Sequence, residues 1–126
     1  MTLLGQVTAG REAVVHLTVE GAGGTNREIN AVLDTGFNGY LALPAPLIEG
    51  LGLQGLGRER VTLASGEIRF TRKYEASVRL AGLSHPVEVV EAGEPLVGMA
   101  LLWGYEIRIH CIEEGRVVAV ERSMEE

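Results

Sequence analysis

The sequence predicts an all-β fold, and three observations carry that prediction: apolar and polar residues alternate with a period of two, turn residues separate the alternating runs, and only two short stretches look helical. Val15, Leu17 and Val19 alternate with His16, Thr18 and Glu20. Ile68 and Phe70 alternate with Glu67, Arg69 and Thr71, and Ala76, Val78 and Leu80 with Ser77 and Arg79. Tyr105, Ile107, Ile109 and Cys111 alternate with Glu106, Arg108 and His110. Such segments turn one face to a core and the other to water, the signature of an antiparallel sheet. On this reading Ile68, Phe70 and Cys111 belong to core faces.

Turn chemistry falls where the alternation stops. Gly21-Ala22-Gly23-Gly24-Thr25-Asn26, Ser65-Gly66 and Glu114-Gly115 each divide two strands, and Ala81-Gly82 and His85-Pro86 add further punctuation. The helical stretches run from about Ala45 to Leu51, with Pro46 near the start, and from about Met99 to Trp103. No linker, low-complexity segment or internal repeat interrupts the chain, so residues 1–126 read as one domain.

Composition narrows the class. Hydrophobic residues make up 46% of the 126 residues, too many for a disordered chain, while aromatics are only 5%, so the core must be built from Val, Leu, Ile and Ala. The net charge is −6, and the densest basic stretches, Arg58-Glu59-Arg60 and Arg72-Lys73, are short. Nucleic-acid binding draws on a basic stripe that this chain lacks, so no nucleic acid is expected as partner. Cys111 is the only cysteine, so no intrachain disulfide forms. The N-terminus lacks a signal-peptide pattern, and no apolar run approaches the ~18 residues of a membrane helix. A soluble, cytoplasmic protein with no membrane contact is the expectation.

The candidate chemistry centres on Asp34. Ala31-Val32-Leu33 is an apolar strand end that delivers Asp34-Thr35-Gly36 into a loop. A carboxylate there must be paired, solvated or functional. Gly36 permits a positive φ or a close backbone approach, and Thr35 offers a hydroxyl to tie the loop down. On the tripeptide alone, an Asx-turn in which Asp34 caps its own backbone suffices.

The surroundings say more. Asp34-Thr35-Gly36-Phe37-Asn38-Gly39-Tyr40-Leu41-Ala42-Leu43-Pro44 resembles the active-site segment of retropepsin-like aspartic proteases. Leu96-Val97-Gly98-Met99-Ala100-Leu101-Leu102 resembles that family's second signature, with Val97 and Gly98 leading into a short helix. Between them, Val61 to Phe70 has the position and form of the flap hairpin. The resemblance spans about Val14 to Val120. Phe37 stands where members usually carry Ala or Ser, and Met99 and Ala100 where a polar or charged residue is common.

The resemblance implies a closed, mostly antiparallel barrel assembled as a homodimer, and peptide-bond hydrolysis on a polypeptide substrate. Asp34 would be catalytic, Thr35 and Gly36 would hold the loop, and Ala64, Ser65, Gly66 and Glu67 would form the flap tip. Neither metal nor organic cofactor is implied. Such enzymes need two carboxylates around one water, and this chain has one such motif, so the second Asp34 must come from a second chain. At ~4 Å and an effective dielectric of ~20, two such charges repel by about 4 kcal/mol, so the pair is expected to hold one proton near neutral pH. The alternative reading is a non-catalytic dimerisation or peptide-binding module on the same fold.

Other motifs carry less. Gly50-Leu51-Gly52-Leu53-Gln54-Gly55 has dinucleotide-loop spacing but follows a helix and precedes a strand, the reverse of what that site needs. His16, His85 and His110 have no metal-ligand spacing. Glu113-Glu114 reads as a solvated turn, and Trp103 as a core plug or a dimer contact.

Overall fold

The computed structural model describes residues 1–120; residues 121–126 of the expected domain lie outside the described residues. Ten strands follow in chain order, with two short helices among them: β1 Thr2–Val7, β2 Ala13–Glu20, β3 Asn26–Leu33, β4 Leu41–Leu43, α1 Ala45–Leu51, β5 Gln54–Thr62, β6 Ile68–Leu80, β7 Leu83–Glu91, β8 Leu96–Val97, α2 Met99–Leu102, β9 Glu106–Ile109 and β10 Arg116–Val120. The fold is mostly β, as the alternation predicts. Both helices lie at the expected positions. The Gly50–Gly55 segment runs from the end of α1 into β5.

All ten strands belong to one sheet, in the order β5-β6-β7-β4-β8-β3-β2-β1-β10-β9. A further ladder joins β2 to β6, from Thr18↔Arg79 to Glu20↔Ser77, and folds the sheet back on itself. The expected closed barrel is met only to that extent. β5 and β9 each keep a single neighbour, because the hairpin and the chain-end strands run beyond the short β2–β6 ladder. Two pairings are parallel, β3 with β8 and β4 with β7, and local alternation carries no sign of them.

The core is aliphatic, as the scarcity of aromatics requires. Val15, Val19, Leu41, Leu43, Leu51, Val78, Leu80, Val89, Val97 and Val117 are fully buried, and every buried hydrophobic residue is Leu, Val, Ile or Ala. Among the described residues no helix is long and apolar enough to cross a membrane.

Several core assignments are overturned. Ile68 and Phe70 are exposed, Phe70 by 65%, because no element covers the outer part of the β5–β6 hairpin. Cys111 lies beyond the end of β9 and is exposed. Ile109, on the edge strand β9, is exposed as well, and Trp103 at 65% exposure is no core plug. His85-Pro86 does not end a strand. Pro86 sits within β7, where β6 is its only neighbour; pairing with β4 begins at Val89, so the missing N–H leaves no gap in a ladder.

Candidate active site

The Asp34 loop is built by a crossing of three short segments. β3 ends at Leu33, and its last residues lie parallel to β8, Val32 beside Leu96 and Leu33 beside Val97. After the loop the chain returns as β4, which pairs antiparallel with the other side of β8. The two-residue strand β8 therefore sits between the strand entering the loop and the strand leaving it. Val97, one of the sequence-derived site residues, is fully buried there.

Backbone hydrogen bonds clamp the loop from both ends. Val32 N–H donates to Pro95 O at 3.0 Å and Asp34 N–H to Val97 O at 2.9 Å. Beyond the loop, Gly98 N–H donates to Tyr40 O (3.1 Å), Met99 N–H to Phe37 O (2.8 Å) and Ala100 N–H to Gly39 O (3.1 Å). The first turn of α2 thus supplies donors that a helix start leaves unsatisfied to carbonyls of the loop. The two separate sequence signatures meet as one unit.

Gly98 is where they touch most closely. A Cβ at this position would lie 2.2 Å from Gly39 O and 2.6 Å from the Phe37 ring, closer than packed atoms come. A Cβ on Gly39 would meet the same ring, also at 2.6 Å. Phe37, which departs from the resembled motif, occupies the space that two glycines leave open. The sequence marks Phe37 as a departure and Gly98 as part of the second signature but does not bring them together with Gly39; the Phe37-Asn38-Gly39 spacing is the available signal.

The Asp34 carboxylate is fixed on one side. Its Oδ1 accepts a hydrogen bond from Gly36 N–H at 2.9 Å, so the Asx-turn is present. Among the described residues Oδ2 has no hydrogen-bond partner. The side chain is half-buried, while Thr35 and Gly36 are exposed. The Thr35 hydroxyl makes no hydrogen bond to any described residue, and the hydrogen bonds seen to hold the loop are those of the backbone and of Asp34 Oδ1. Asp34 is also the only aspartate, the other 16 acidic residues being glutamate.

The other candidate residues lie at the tip of the β5–β6 hairpin. Gly66 N–H donates to Leu63 O at 2.9 Å and Leu63 N–H to Glu67 O at 2.8 Å, with Gly66 at φ +86°. This is a tight turn whose last residue adopts the left-handed conformation, the role glycine serves at least cost. Ala64, Ser65, Gly66 and Glu67 are all exposed. On the hairpin, the ammonium of Lys73 is raised above its ordinary value, chiefly by its hydrogen bond to Glu59.

Several clefts flank the body, and two of them share Tyr40. One, between β7 and α2, is lined by Asn38, Tyr40, His85, Met99 and Trp103. The other, at the base of the hairpin, is lined by Glu20, Tyr40, Leu56, Glu75 and Glu88. Asp34 lines neither. Among the described residues no cluster of three or more His, Cys, Asp and Glu side chains could hold a metal ion.

No family model matches this chain, and no curated protein matches it in sequence. Among solved structures, the chain is similar to the solution structure of Simian Foamy Virus (mac) protease. The TM-score is 0.50 and the identity 16%, over 69% of this chain and 90% of that one. At such low identity the likeness is one of fold alone, and it supports a retropepsin-like fold.

Proposed function

We propose that the chain is one subunit of a homodimeric aspartic endopeptidase, with Asp34 of each subunit facing its counterpart across a two-fold axis. The observation that carries this reading is the Asp34 carboxylate itself. It is a unique aspartate on a loop clamped by β8 and α2, with one oxygen fixed by Gly36 N–H and the other without a hydrogen-bond partner among the described residues. The fold likeness to a viral protease adds support. The closed barrel, the polypeptide substrate and the cytoplasmic setting belong to the same proposal.

The mechanism follows from two such carboxylates sharing one proton. The ionised member takes a proton from a water held between them as the water oxygen bonds to the scissile carbonyl carbon, and the protonated member donates to the carbonyl oxygen. The C–N bond then breaks as the gem-diol returns a proton to the pair and the leaving nitrogen takes one. These are roles of the pair, which exchange between subunits. Thr35, whose hydroxyl has no hydrogen-bond partner among the described residues, would make a bond across the two-fold. The hairpin tip, Ala64 to Glu67, would close over an extended peptide held by strand-like hydrogen bonds.

The rival reading, a non-catalytic dimerisation or peptide-binding module, draws on one observation: Asp34 lines neither of the two clefts. A site completed by a second chain need not form a cleft in one. Asp34→Asn keeps an oxygen for Gly36 N–H but cannot deprotonate water. Hydrolysis of unfolded protein should fall at least about 10³-fold, while light scattering still gives a dimer. Hydrolysis undiminished in Asp34→Asn, or a strict monomer at micromolar concentration, would sink the proposal.

A further inference from the structure

Two basic stretches that are short and separate in sequence come together on the hairpin. In the β5–β6 ladder Arg58 lies opposite Arg72, Arg60 opposite Phe70, and Thr62 opposite Ile68. Residues directly opposite one another, and those two apart along a strand, share a face. Arg58, Arg60 and Arg72 therefore stand on one face together with Phe70 and Ile68, and all five are exposed.

Both acids of the hairpin are engaged elsewhere. Glu59 pairs with Lys73 at 3.0 Å, and both belong to the other face by the same alternation. Glu67 pairs with Arg69, also on that other face, at 3.3 Å. Arg58, Arg60 and Arg72 make no ion pair with any described residue. Glu49 and Glu91 line a cleft together with Arg72 but lie outside ion-pair distance of it. Residues 54–73 hold five of the 11 basic side chains and two of the 17 acidic ones, so the hairpin carries +3 and the remainder of the chain −9. Like charges directly opposite on a ladder are unfavourable, and Arg58 against Arg72 is such a pair. A ligand carboxylate lying over them reverses that cost.

The face also has a direction. Along β6, Ile68, Phe70 and Arg72 share their side of the strand with Val78 and Leu80, which are buried. The arginine face is thus the outward continuation of the core face, on the side of the sheet that looks toward the body.

We infer that this face, through Arg58, Arg60 and Arg72 beside Phe70 and Ile68, is a recognition surface for extended polypeptide that presents carboxylate and apolar side chains on the same side, at every second position. The extended form of the ligand rests on the peptidase reading; its acidity rests on the hairpin alone. Arginine suits the role because its planar fork binds carboxylates through two parallel hydrogen bonds.

The test uses two fluorescent 12-residue peptides in which polar and apolar side chains take turns at every second position, with serine between them, identical except that one carries Glu where the other carries Gln. Affinity is read by anisotropy on full-length Asp34→Asn protein, and kcat/KM on the wild type with both peptides in competition. Each exposed ion pair contributes a factor of about two to three, so the acidic peptide should be favoured about ten-fold at low salt. The ratio should shrink in 0.5 M salt and fall to near one in Arg58→Gln/Arg60→Gln/Arg72→Gln. Equal cleavage of both peptides would overturn the inference and leave the peptidase reading standing. No cleavage of either, with arginine-dependent preference in binding, would overturn the peptidase reading and sustain the inference. Two further results would also overturn it: stronger binding of a single-stranded oligonucleotide than of the acidic peptide, or a triple variant that shifts the dimer equilibrium while the peptide preference stays.

Discussion

The Asp34 loop and the β5–β6 hairpin are held by opposite means. The loop is short, irregular and clamped: Val97 beneath it is fully buried and accepts from the Asp34 amide, donors from Gly98 and the first turn of α2 reach the loop carbonyls, and Gly98 leaves no room for even a methyl group. The hairpin is long and regular, yet almost nothing packs on its outer part, and Leu56, Ile68 and Phe70 are exposed. In the loop, tertiary contacts hold a conformation that local preference alone would not. In the hairpin, backbone pairing and one turn glycine suffice, and the side chains stay free for a partner. On the proposed reading, the group to be positioned sits in the first kind of structure, and the segment that would open and close sits in the second.

That contrast can be broken most directly at Gly98. Gly98→Ala forces a Cβ against a backbone oxygen that cannot move without opening the crossing of β3, β8 and β4. It should cost about 3 kcal/mol or more in urea unfolding. Gly39→Ala meets only the outer edge of the Phe37 ring, which can turn aside, and should cost less. Equal and small losses at both positions would mean the loop is not clamped.

Hydrogen exchange sharpens the comparison without mutation. The amides of Asp34 and Gly98 should exchange near the rate of global unfolding, and those of Arg60 and Gly66 at least about 100-fold faster. A peptide-like inhibitor should slow the hairpin amides and leave the loop unchanged. Equal protection of the two regions in the free protein would contradict a mobile hairpin.

The smallest effects belong to hairpin side chains. Gly66→Ala places a Cβ in open space but at φ +86°, so the cost is conformational, about 1 kcal/mol. Phe70→Ser should change stability by less than about 0.5 kcal/mol in thermal unfolding, because Phe70 buries little within the chain. A larger loss at Phe70 that depends on protein concentration would place it in a subunit contact.

Much of this was legible because it is local. The alternation of Val15 to Val19 and of Ala76 to Leu80, the turn at Ser65-Gly66, and the helix from Ala45 to Leu51 each depend on neighbours a few residues away. The short turn at Asp34 is local too, since Oδ1 reaches an amide only two residues on.

What the sequence by itself determined is which residues share a face and where the chain turns, because strand geometry translates a period of two directly into sides. Whether a face is covered was decided only by the tertiary structure. Ile68 and Phe70 alternate as well as Val78 and Leu80 do, on the same strand, yet only the second pair is buried, because burial depends on what lies across the sheet. The parallel seating of β3 on β8, the fit of Phe37 between Gly39 and Gly98, and the meeting of Arg58 with Arg72 are likewise long-range pairings. They follow from register between distant segments, and no local pattern records it.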